Sequence, residues 1–168
     1  MMAVFTLLFV GVLILAIIRE FRTRLDDKGK PAGFGQGQPR LTENLTDPAE
    51  AAAVLLVQTV AYRGHLNVAH KERVEELMQG AFGVTEEEAK GLFSFGRMAV
   101  GQLGDAEPSA RRLVRPIAAN CTLDEQRDLI RMMEVLSTLD GRPTGPQSQL
   151  IATVSRALRL GGMHGSVH

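Results

Sequence analysis

Leu139-Asp140-Gly141, and a weaker copy of it at Tyr62-Arg63-Gly64, are the two short turns whose reading decides the fold. Each joins one apolar-periodic segment to a second. Sliding one copy over the other at a constant offset (140 − 63 = 77) pairs Leu55, Leu56, Val74 and Leu77 with Met132, Met133, Ile151 and Val154. Polar partners fall opposite one another less regularly, as in Glu72 with Gln149. A duplicated helical hairpin produces this pattern, because each copy must keep its buried face while its solvent face drifts.

Outward from the turns, helix signals follow in series. Asp47-Pro48-Ala49-Glu50 is a helix start, with Asp47 as the cap, Pro48 in the first position and Glu50 completing a capping box. That helix runs to about Tyr62 and carries Ala53, Leu56, Val57, Val60 and Ala61 on one face. Asn67 caps a second, with Val74, Leu77, Met78 and Ala81 inward, ending at Gly83. Thr85-Glu86-Glu87-Glu88 opens a third with another capping box and with acid where the helix dipole favours it. Its face is Leu92, Phe95, Gly96, Ala99 and Leu103. Pro108 starts a short fourth helix, which Pro116 is expected to kink or end near Arg115. Thr122-Leu123-Asp124-Glu125 opens a fifth, with Leu129, Met132, Met133 and Leu136 at helical spacing. Pro143 and Pro146 shape the following loop, and a last helix carries Leu150, Ile151, Val154 and Leu158 before Gly161-Gly162 stops it. No segment alternates like a strand bounded by hairpin turns. The expected class is all-α: a bundle of two pseudo-symmetric helical hairpins plus connecting helices.

A chain of 168 residues holds one core-bearing domain and appendages. With 19 basic and 19 acidic residues there is no global field to draw nucleic acid, and none is expected as a partner. The absence of Trp and the abundance of Ala, Leu, Val and Met suit helix-on-helix packing. The single cysteine, Cys121, cannot form a disulfide within the chain, in keeping with a reducing compartment.

Met1 to Ile18 carries no charge and is almost wholly apolar. As a helix it spans roughly 27 Å at about 1.5 Å per residue, enough for a bilayer core of roughly 30 Å if Arg19 snorkels. A cleavable signal peptide and a merely buried helix are the competing readings. The first needs basic residues ahead of the apolar run, and Met1-Met2-Ala3 supplies none. Arg19, Arg22, Arg24, Lys28 and Lys30 all follow it, which by the positive-inside rule leaves the amino terminus outside and the domain in the cytoplasm. The expected layout is a transmembrane anchor at 1–20 in the lipid bilayer, a flexible Gly- and Pro-rich linker at 21–45, a helical domain at 46–161 and a disordered tail at 162–168.

Ala53 to Gly83, centred on Tyr62-Arg63-Gly64-His65-Leu66, and Leu129 to Leu160, with Leu139-Asp140-Gly141, resemble the two halves of the TerB-like tellurite-resistance domain. That domain is also found ahead of the J-domain in the DjlA co-chaperones. The resemblance covers roughly Thr46 to Leu160. It implies an all-helical fold of two pseudo-symmetric halves without established catalytic chemistry. This chain contains no His-Pro-Asp tripeptide, so the element that would engage a heat-shock chaperone is missing. Family members often keep an acidic residue in each turn and another seven positions on, a set proposed to hold metal ions. Here those positions are Arg63, His70, Asp140 and Gln147, so Asp140 is the only retained acid. Hard cations need several oxygen ligands, and no metal or other cofactor is expected.

Arg63 and Asp140 occupy equivalent places in the repeat. If packing brings them together, the guanidinium stands where a cation would bridge two carboxylates; otherwise both are solvated turn residues. His65, His70, His164 and His168 are read as surface or tail histidines without a third ligand. Cys121 is read as an inert thiol rather than a nucleophile. Arg111, Arg112 and Arg115 form a basic face that either binds phosphates and partners or is simply solvated. Met132-Met133 is read as core. The expected function is non-enzymatic: a bacterial-type, membrane-anchored, cytoplasmic-face protein-interaction module in a stress or tellurite/metal response, with an unidentified protein partner and room for homo-oligomerisation. The alternative is a divalent-metal-binding or metal-sensing domain.

Overall fold

The computed structural model describes residues 42, 45–64, 66–103 and 106–160, the side chains of 106–108 excepted. The apolar run at 1–18, the linker apart from residues 42 and 45, and the tail lie outside these residues. Among the described residues no helix is long and apolar enough to cross a membrane. Six helices and no strand are found there: α1 (Pro48–Ala61), α2 (Val68–Phe82), α3 (Glu86–Val100), α4 (Ala106–Asn120), α5 (Leu123–Ser137) and α6 (Gly145–Ala157). The all-α expectation is met, and the helix starts fall where capping chemistry puts them. Asp47 accepts from the N–H groups of Ala49 and Glu50. Thr85 with Glu88, and Thr122 with Glu125, close reciprocal boxes that satisfy amides left without intrahelical partners.

α1 departs from the one-faced helix expected of it. From Ala51 to Val60 every residue is buried, Gln58 and Thr59 included, because α1 runs through the middle of the bundle and touches all five other helices. A helix that is apolar all round belongs in an interior, and its small residues let neighbours come close. At Gly96 on α3, an added Cβ would stand 2.9 Å from the Ala53 carbonyl oxygen and 3.0 Å from Val57 Cγ2. Backbone meets backbone there.

Around this axis α2 buries Val74 and Met78, α3 buries Ala89, Phe93 and Ala99, α5 buries Leu129, Met132, Met133 and Leu136, and α6 buries Leu150 and Val154. Met132 and Met133 are thus core, as read. Ala81 is exposed instead of inward, while Leu92, Phe95 and Leu103 only flank a face centred on Phe93.

The fourth helix also differs from expectation. It continues through Pro116 to Asn120, with Ala110, Leu113, Val114 and Ile117 buried on its inner side. Burying a Leu, a Val and an Ile contributes about 1.5–3 kcal/mol each, which outweighs the roughly 3 kcal/mol of an interior proline. The end of α6 comes at Ala157, before Gly161-Gly162. Leu160 N–H bonds to Ser155 O and Arg159 N–H to Arg156 O, with Arg159 at φ 58°, so a left-handed arginine closes the helix where glycine usually does.

Candidate functional site

The repeat predicts where the two hairpins should correspond, and their local geometry agrees. Gly64 and Gly141 sit at equivalent positions with φ of 103° and 107°, a region that only glycine enters freely. Three residues beyond each glycine comes an N-cap, Asn67 for α2 and Thr144 for α6. Three residues further, the reciprocal partners in these capping boxes are His70 and Gln147, again equivalent at the repeat offset. Both are buried, His70 to 3% exposure and Gln147 to 0%. Each faces two ways.

Gln147 Oε1 accepts the Thr144 N–H at 2.9 Å, while its Nε2 donates to the Thr59 carbonyl of α1 at 2.8 Å. The turn after α1 explains why that bond is needed. Tyr62 N–H goes to the Gln58 and Val60 carbonyls, Arg63 N–H to Val60 and Gly64 N–H to Ala61, so the turn passes over Thr59 O. A buried carbonyl without a partner costs about 1–3 kcal/mol. A side chain from the other hairpin supplies the missing donor.

His70 repeats the scheme in the opposite direction. Its Nδ1 accepts the Asn67 N–H at 3.4 Å, which places the ring proton on Nε2, and Nε2 donates to Asp140 Oδ2 at 2.6 Å. The reading of His70 as a surface histidine is therefore corrected: helix α2 turns it inward and the second turn covers it. Arg63 also crosses. Its Nη2 donates to Ser137 O at 3.3 Å and to Arg142 O at 2.6 Å, on either side of the second turn. Arg63 and Asp140 thus come to one junction, but the bonds they make run past each other, guanidinium to carbonyls and carboxylate to imidazole. Chemically the junction is closed: both ring nitrogens of His70 and both polar ends of Gln147 are engaged.

The other candidates lie elsewhere. Arg115 is exposed and Arg112 half-buried on α4, with Arg111 exposed between them and the start of the helix. Cys121 is half-buried ahead of α5, and burial, then Glu125 and Asp47, push its thiol above the ordinary value, which suits the inert reading. Burial likewise raises Tyr62, partly offset by the hydrogen bond from Gln58. No group of three or more His, Cys, Asp or Glu side chains that could hold a metal is found among the described residues. Of the four positions that the resemblance assigns to metal, one carries a carboxylate, one a cation, one a ring whose nitrogens are both engaged, and one an amide turned to a backbone carbonyl. These residues do not fit a hard cation.

Helical hairpins closed by polar side chains between their turns define the class: an all-helical domain. The family model described as tellurite resistance protein TerB matches residues 49–163, and the chain belongs to that family. No curated protein and no solved structure matches it. His70 and Gln147 stand at positions that the resemblance assigns to metal, but their role as bridges between the turns is one that neither residue type announces. Their common distance from the two turns is the sequence signal that marks them.

Proposed function

We propose that the chain is a membrane-anchored interaction module of the TerB family, which offers the end of its bundle at the joined turns to a protein partner at the cytoplasmic face, in a stress or tellurite/metal response. The observation that carries this reading is the apolar rim of the junction. Val68, 70% exposed, follows the cap of α2 two residues before His70, and Leu139, 40% exposed, immediately precedes Asp140. Val135, 38% exposed, lies in the last turn of α5, two residues before its end. The His70–Asp140 bond brings Val68 and Leu139 to one end of the molecule, and exposed apolar groups gathered there favour contact with another protein. A binding role is favoured over catalysis because both ring nitrogens of His70 and the amide of Gln147 are already engaged within the junction.

The anchor rests on the uncharged run 1–18 and the basic residues that follow it. A photo-crosslinking residue placed at Val68 or Leu139 of the full chain in membranes should give a discrete adduct. The same residue at exposed Ser94 on α3 should not. Equal adducts at all three sites, or none, would remove the support for the reading. A reporter fused at the carboxyl end should be active only inside the cell; activity only outside would reverse the orientation.

A further inference from the structure

We propose that the Arg63 guanidinium is the resident cation of the inter-turn junction, so that this domain is held closed by its own side chains and independently of divalent metal. The inference starts from the acceptors. Ser137 O and Arg142 O flank the second turn, and together with the neighbouring Asp140 carboxylate they are the oxygen-rich part of the junction. Such oxygens are the ligands a hard cation would take. In this chain Arg63 Nη2 lies on both carbonyls and His70 Nε2 on the carboxylate, while Gln147 closes the Thr59 carbonyl at the end of the first hairpin's leading helix.

A guanidinium suits that place for physical reasons. It stays charged at every accessible pH, is weakly hydrated, and presents its donors in a fixed fork, so it can serve two carbonyls without the shell of oxygens that a metal ion requires. Its positive charge also opposes entry of a second cation. The junction is therefore a latch in which three donors from side chains of one hairpin, or of the other, close acceptors across the boundary. Nothing in it waits for an ion. How the domain is held is separate from the identity of any partner.

The test compares melting of the full chain with calcium, magnesium, manganese or a chelator, alongside equilibrium dialysis against calcium and manganese. The wild-type chain should melt at the same temperature in every condition and retain no ion. R63A should melt lower and, like the wild-type chain, retain no ion. R63D puts a carboxylate on the same side of the junction but short of the place Nη2 occupies, leaving room for an ion to bridge it to Ser137 O, Arg142 O and Asp140, and it should gain a saturable rise, roughly 10 °C at a hundred times the ion's dissociation constant. A saturable rise in the wild-type chain, or ion retained by it on dialysis, would overturn the proposal, as would a folded R63D that stays indifferent to every ion. If R63D does not fold, dialysis of the wild-type chain still decides between an occupied and a self-closed junction.

Discussion

Replacing Gln147 with alanine should destabilise the domain by about 3 kcal/mol, a large fraction of the roughly 5–15 kcal/mol that holds a domain of this kind. Three losses add to that figure. The Thr59 carbonyl, at a buried residue and 2.8 Å from Gln147 Nε2, loses its donor, at about 1–2 kcal/mol. The cap of α6 loses the acceptor for the Thr144 N–H, at about 0.5–1 kcal/mol. Truncating a fully buried side chain leaves a small void worth about 1 kcal/mol. Exposed Gln149, two residues along the same helix, serves as the control and should change by less than about 0.5 kcal/mol on the same substitution. Urea unfolding followed by far-UV circular dichroism measures both variants, with an unchanged m-value confirming that only stability has moved. In a thermal melt the difference corresponds to roughly 10 °C. If Gln147→Ala and Gln149→Ala unfold at the same urea concentration, the amide does not close the first turn.

Two glycines on α3 should respond in opposite directions. Gly96→Ala forces a Cβ to 2.9 Å from the Ala53 carbonyl and should lose about 1–2 kcal/mol net of the helix-propensity gain, whereas Gly91→Ala meets nothing within 4 Å and should gain about 0.5–1 kcal/mol; equal responses would mean that α1 and α3 are not in close approach. Arg159→Gly should raise stability by about 0.5 kcal/mol by relieving the left-handed conformation at φ 58°, read as a small rise in the melting midpoint. Cys121 should react with a disulfide reagent more slowly than free cysteine at mildly alkaline pH, since burial holds its thiol neutral. The neutral form is the one the fold favours. Its contribution to stability is therefore complete below the ordinary thiol value and falls as pH rises through the raised one, and a Cys121→Ser variant should lack that alkaline decline.

The sequence carried the architecture further than the site. Capping boxes and the spacing of Leu129, Met132, Met133 and Leu136 place helices through local chemistry, which needs no knowledge of the partner surface. A single periodic stripe does not describe α1, which has almost no polar residue between Ala51 and Ala61, and only the surrounding helices reveal that all its sides are covered. Pro116 was over-weighted for a related reason: a local helix-breaking preference yields to the burial of its neighbours. At the junction the sequence supplied equivalence but not direction. Register puts Arg63 and Asp140 at equivalent places, yet which acceptor each reaches depends on how the turns pass one another, and they do not bond to each other. The spacing marks His70 and Gln147 as positions seven residues past the turns, but only their burial and hydrogen bonds show them bridging the halves.

A double-mutant cycle on His70 and Asp140 tests the bridging of the two hairpins most directly. Unfolding free energies of the wild-type chain, His70→Ala, Asp140→Ala and the double variant isolate the pairwise term from the void that each single truncation leaves. A bond at 2.6 Å from a buried ring to a carboxylate predicts a coupling of about 1 kcal/mol or more. Additivity within about 0.3 kcal/mol would mean that the side chains of one hairpin do not close the turn of the other.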